Sequence, residues 1–123
     1  MDFDAFSRLM HIKVAPGAVF PNPGGGSSEI IGFGSGSLIY RRRNSRICVS
    51  LRDLYDAYAH FRGGNVSSTD LRQYHPSVFD SGAGGHSCNC TMLFILLKAI
   101  GAADRIKGEG VRGNPFWVTI AAT

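Results

Sequence analysis

The sequence predicts an α+β fold, and three observations carry that expectation. Leu51, Leu54, Tyr55, Tyr58 and Phe61 recur at helical spacing, which gives one apolar face to a helix over about 51–61. From Met92 to Ile100 the only charge is Lys98, so a second, mostly buried helix follows a glycine run and stops at Gly101. The segments either side of Gly34-Ser35-Gly36, and the stretch Phe116-Trp117-Val118-Thr119-Ile120, are rich in β-branched and aromatic residues and read as strands.

At 123 residues the chain suits a single globular core, and 44% hydrophobic with 18% charged residues excludes a disordered chain. The formal net charge of +4 permits contact with a polyanion without requiring it. Three cysteines, Cys48, Cys88 and Cys90, are no disulfide framework. The start MDFDAF is acidic where a signal peptide is basic, and no apolar run has the length of a membrane helix. A reduced, cytoplasmic, nucleoid-associated setting with no membrane partner is the expectation.

In chain order, Phe3, Phe6, Leu9 and Met10 fall at helical spacing and predict a short helix over 2–12. Residues 15–26, APGAVFPNPGGG, are dense in Pro and Gly and predict an irregular arm, so 1–26 reads as helix plus arm and 27–123 as the domain proper. Gly24-Gly25-Gly26-Ser27-Ser28 lacks the Lys of a P-loop and the spacing of a Rossmann turn. Glu29–Phe33, Ser37–Tyr40 and Arg46–Val49 read as strands of a hairpin extension. Between the last two sits Arg41-Arg42-Arg43-Asn44-Ser45. As a solvated turn its charges do nothing specific; as a phosphate anchor its guanidinium forks suit phosphate oxygens, and the second reading is preferred.

Ser50 followed by Asp53 is a helix-start signal, and Arg62-Gly63-Gly64 a stop. Ser67–Asp70 opens another helix, which Pro76 keeps short, leaving His75–Phe79 for one further turn. After the turn at 80–85 comes the apolar helix, with Ser87 and Asn89 as candidate caps. Cys88, Thr91, Ile95 and Lys98 share one side of it; Leu93, Phe94, Leu96, Leu97 and Ile100 are assigned to the core. Ala103–Lys107 and 116–120 then read as a hairpin around Gly108-Glu109-Gly110.

A helix, a turn, a second helix and a basic hairpin, in that order over about 47–120, resemble the winged-helix superfamily of DNA-binding domains. The resemblance implies three helices plus a C-terminal β-hairpin wing, here with an N-terminal β-hairpin extension. It implies sequence-specific binding of double-stranded DNA, as a transcription regulator or as the recognition module of a DNA-processing system, with a homodimer one possible assembly. The recognition helix would be about 87–100, with His86, Ser87, Asn89, Thr91 and Lys98 facing the major groove. The wing, about 104–120, would bring Arg105, Lys107 and Arg112, and the turn Arg41, Arg42 and Arg43, to phosphates or the minor groove.

Two other readings compete. A winged-helix module can bind a protein partner, its basic surface meeting an acidic one. A zinc or thiol enzyme would be built on His86, Cys88 and Cys90. That trio departs from the usual Cys-x₂₋₄-Cys spacing of zinc sites, and no hydrolase signature surrounds Cys88. No metal, cofactor or catalytic residue is therefore expected.

Overall fold

Asp2 starts the first helix, α1 (Phe3–Lys13), by accepting a hydrogen bond from the Ala5 amide at 2.9 Å. The computed structural model describes residues 1–122. Phe6, Met10 and Val14 follow one another at a spacing of four and are fully buried. Phe6 packs on Tyr55 and Tyr58, at ring centroid separations of 5.4 and 5.8 Å. The N-terminal segment is thus built into the same core as the rest of the chain.

Four antiparallel strands follow as a meander: β1 (Val19–Pro21), β2 (Ser27–Gly34), β3 (Ser37–Arg42) and β4 (Ser45–Ser50). β1 lies inside the Pro/Gly stretch expected to be irregular. A three-residue edge strand tolerates Pro21, because an edge need not donate from every amide. The β2–β3 turn has Ser35 at φ 53° and Gly36 at φ 78°, the two positive values that a tight hairpin turn with the sheet's own twist requires. Ile30, Leu38, Tyr40, Ile47 and Val49 alternate along their strands and face the core.

Ser50 caps α2 (Leu51–Phe61), accepting from the Arg52 and Asp53 amides. After Gly63, β5 (Asn65–Ser67) leads to α3 (Ser68–Tyr74), which carries a full capping box between Ser67 and Asp70. α4 (Pro76–Phe79) restarts the helix with Pro at its first position, where a missing N–H costs nothing. The further turn expected at 75–79 is thus a helix of its own, and residues 51–100 hold four α-helices where three were expected. A 3₁₀ turn over Ser81–Ala83 precedes α5 (Cys88–Ala99), and β6 (Trp117–Thr119) closes the chain.

The wing differs from expectation. β6 pairs antiparallel with β5, Val66 opposite Val118, both fully buried. Toward 104–107 only bridges remain, Lys107 with Trp117 and Ala103 with Ile120. Asp104 and Arg105 are exposed and offer no apolar side to pair across, whereas Val66 does. The fold is α+β: five α-helices, a four-stranded sheet and a two-stranded sheet among the described residues. No described helix is long and apolar enough to cross a membrane.

Candidate functional site

α5 is buried on nearly every side, from Asn89–Cys90 and Met92 through Leu97. A helix apolar all round sits inside a protein, not on its surface. Ile95, assigned outward from the sequence, is 6% exposed and borders a small groove with Phe20 and Pro21. The face expected to enter a groove of DNA is therefore covered along most of its length, and the helix reaches the surface only at its ends, through Cys88 and Thr91 at the start and Lys98 at the finish.

That start is held from two directions. The Tyr40 hydroxyl of β3 donates to Asn89 Oδ1 at 2.7 Å and lies 3.3 Å from Cys88 Sγ. Asn89 Nδ2 donates to the Val78 carbonyl at 2.9 Å. Both ends of the amide are thus used inside the protein, and Asn89 is 2% exposed. This corrects its expected role: a buried, satisfied amide ties α5 to the sheet and to α4, and cannot read a base. Burial, with the neighbouring Cys88 adding to it, holds the Tyr40 phenol well above its ordinary range. Cys90 Sγ points at the carbonyls of Ser68 and Phe79, and burial pushes its thiol up to about 12.

Neither Ser87 nor Asn89 caps the helix through its side chain. The Ser87 hydroxyl instead meets Ser81, accepting from its amide at 3.2 Å. The Thr91 hydroxyl donates to the Cys88 carbonyl one turn back. Gly85 lets this junction close: a Cβ there would sit 2.6 Å from the Val78 carbonyl carbon.

Two clefts flank the start of α5 and share Arg42 and Cys88. The first, about 460 Å³, is walled by the arm at Asn22–Gly24, by Arg72 of α3, by Ser87–Cys88 and Thr91, and by Arg112 of the loop between α5 and β6. The second, about 520 Å³, is walled by Arg42, Arg43, Arg46 and His86. Neither wall includes a carboxylate. Among the described residues the ion pairs are Arg41 with Glu29 and Arg52 with Asp56, so these five arginines are unneutralised. Unpaired guanidiniums around a concave surface favour an anion.

Asn22 stands in the wall of the first cleft, 8% exposed. Its Oδ1 accepts from Ser28 Oγ at 2.8 Å, and its Nδ2 has no acceptor. A buried donor left unpaired costs roughly 1–3 kcal/mol. Turning the amide over would only move the vacancy to the oxygen. Phe116 closes the same cleft, its ring against Gly24 and Gly110.

Of the residues expected to touch DNA, the structure brings Arg42, Arg43, His86, Ser87, Thr91 and Arg112 to these clefts. It does not bring Arg41, which pairs with Glu29 across β2 and β3, or Lys98, at the far end of α5. Lys107 lies over the Trp117 ring, 4.5 Å from its centroid, and borders a separate groove with Asp104; Arg105 is exposed outside both clefts. Sequence reasoning missed Arg46, Arg72 and Asn22. Arg46 continues the arginine run and was legible as such. Arg72 lies on a short helix whose apolar side alone was considered, and nothing in the sequence singles out Asn22. His86, Cys88 and Cys90 do not converge, and no group of three metal-ligating side chains forms among the described residues.

Comparison with protein-family models, with curated proteins and with solved structures returned no match.

Proposed function

We propose that the two clefts and the start of α5 form a surface for double-stranded DNA, used in the manner of a winged-helix domain. The element order supports this reading: α2, β5, α3, the short added α4, α5, a glycine-rich loop and β6, with β6 returning to pair with β5. The observation that carries it is electrostatic. Arg42, Arg43, Arg46, Arg72 and Arg112 gather around one helix start with no acid among them. A surface of that kind binds phosphates along a backbone and releases counterions as it does so. With Asn89 withdrawn into the core, base contacts fall to His86, Ser87 and Thr91, and phosphate contacts dominate affinity. A transcription regulator and the recognition module of a DNA-processing system both need such a surface.

The test uses a duplex whose two ends are closed by loops, so that only its grooves and backbone are presented. Fluorescence anisotropy over a salt series should show log affinity falling steeply and linearly with log salt concentration. Absence of salt-dependent binding at low ionic strength overturns the DNA reading and leaves a protein partner as the use of this surface.

A further inference from the structure

The first cleft has features that a surface for duplex backbone does not need. It is concave and about 460 Å³ in volume, within the size range of small-molecule sites. Arginines reach it from three separate elements: Arg42 from β3, Arg72 from α3 and Arg112 from the loop between α5 and β6. All three line the same recess together with Cys90 and Phe116.

A backbone phosphodiester carries one charge and has a sugar on either side, so it passes along a surface and does not enter a recess. A phosphate monoester carries a charge of about −1.5 to −2 at neutral pH, with three acceptor oxygens, and projects from a single attachment. Three unpaired guanidiniums around a recess match the second ligand in charge, in donors and in shape. We propose that this cleft is a receptor for a phosphate monoester, either the terminal phosphate of a nucleic-acid strand or that of a free mononucleotide. The inference rests on the DNA reading only for the first of those sources.

Calorimetric titration of the full chain separates the possibilities. A deoxynucleoside 5′-monophosphate should bind at least about tenfold more tightly than the matching nucleoside or dimethyl phosphate, the order expected of charge-assisted hydrogen bonds. It should shift the amide resonances of Asn22 and of Ser87–Thr91. Arg72→Gln and Arg112→Gln should each weaken it about tenfold, and Lys98→Gln should not. Equal binding of the nucleoside or of dimethyl phosphate overturns the proposal. So does wild-type binding by both arginine variants at an unchanged melting temperature. Hairpin duplexes with one open end, bearing a 5′-phosphate or a 5′-hydroxyl, identify the source. A preference for the phosphorylated end assigns the cleft to strand termini, and competition by the free mononucleotide alone assigns it to a soluble ligand. The loop-closed duplex has no terminal phosphate, so its binding reports on the DNA reading independently.

Discussion

Replacing Asn89 with alanine removes the carbonyl acceptor of the Tyr40 hydroxyl, leaving it only Cys88 Sγ, and one of two donors to the Val78 carbonyl, which keeps the His86 amide. A buried hydroxyl that loses its oxygen acceptor costs roughly 1–3 kcal/mol, so Asn89→Ala should lower unfolding free energy by about that much in urea titration. Tyr40→Phe, which strands Asn89 Oδ1 at the other end of the same hydrogen bond, should cost a comparable amount. A merely marginal loss from Asn89→Ala would mean that the amide is not the tie between sheet and helix. Cys90 supplies a second prediction at this scale. Its ordinary value is 9.0, and burial raises the folded value to about 12. Between those limits the unfolded chain releases the thiol proton while the folded chain keeps it, so stability is full below pH 9 and falls as pH rises toward 12. Tyr40, raised for the same reason, adds a fall of the same sign above its ordinary 10.0. Cys90→Ala should therefore flatten the alkaline decline in stability; a decline unaltered in slope would remove Cys90 as its source. Neither role was legible in the sequence. Asn89 has the spacing of a cap and the chemistry of a base reader, and only the position of Tyr40, a long way off in the chain, withdraws it from both.

The elements themselves were largely written in local pattern. The helices at 51–61 and 88–99 and the strands of the meander follow periodicities of 3.6 and 2, with caps where Ser50 and Ser67 stand. Edges and partners were harder. β1 hides among prolines because an edge strand asks little of its sequence, and β6 takes β5 as partner because burial of Val66 and Val118 outweighs nearness in the chain. The glycines of the wing read as a tip free to approach DNA. In the structure Gly110, at φ 71°, makes room for the Phe116 ring, which a Cβ would strike. Gly113, at φ 86°, has open space around it. Gly113→Ala should thus cost about 1–2 kcal/mol from backbone strain alone. Gly110→Ala adds overpacking of about 1–3 kcal/mol and should lower the melting temperature clearly more. Equal melting temperatures for the two variants would show that the ring yields freely.

Across the whole molecule, α3 and α4 pack on α5, Tyr40 of the sheet holds its start, and that start lies between basic walls. The composition announced a positive chain, and the arginine run announced one of its anchors. The convergence of Arg72 and Arg112 on Arg42 depends on tertiary closure and has no local signal. Because Arg42 borders both clefts, Arg42→Ala should weaken binding to every duplex alike and flatten the log–log salt dependence by about one unit. Lys98→Ala, at the opposite end of α5, should leave both unchanged. If the two variants behave alike in anisotropy titrations, the charge is diffuse and no focused surface exists.

The contact of Phe116 with Gly24 and Gly110 has a consequence for how this sequence can drift. A Cβ at position 24 would rest 3.6 Å from the ring, an ordinary contact, so alanine is admissible there without other change. At position 110 it strikes the ring, and a smaller residue at 116 relieves that clash but not the strain of φ 71°. Divergent descendants of this chain should therefore keep Gly110 wherever they keep an aromatic at 116, and seldom change it even where they do not. Position 24, touching the same ring from the other side, is free to wander first. A segment near the beginning and two near the end are thus bound into one unit of inheritance by a single side chain.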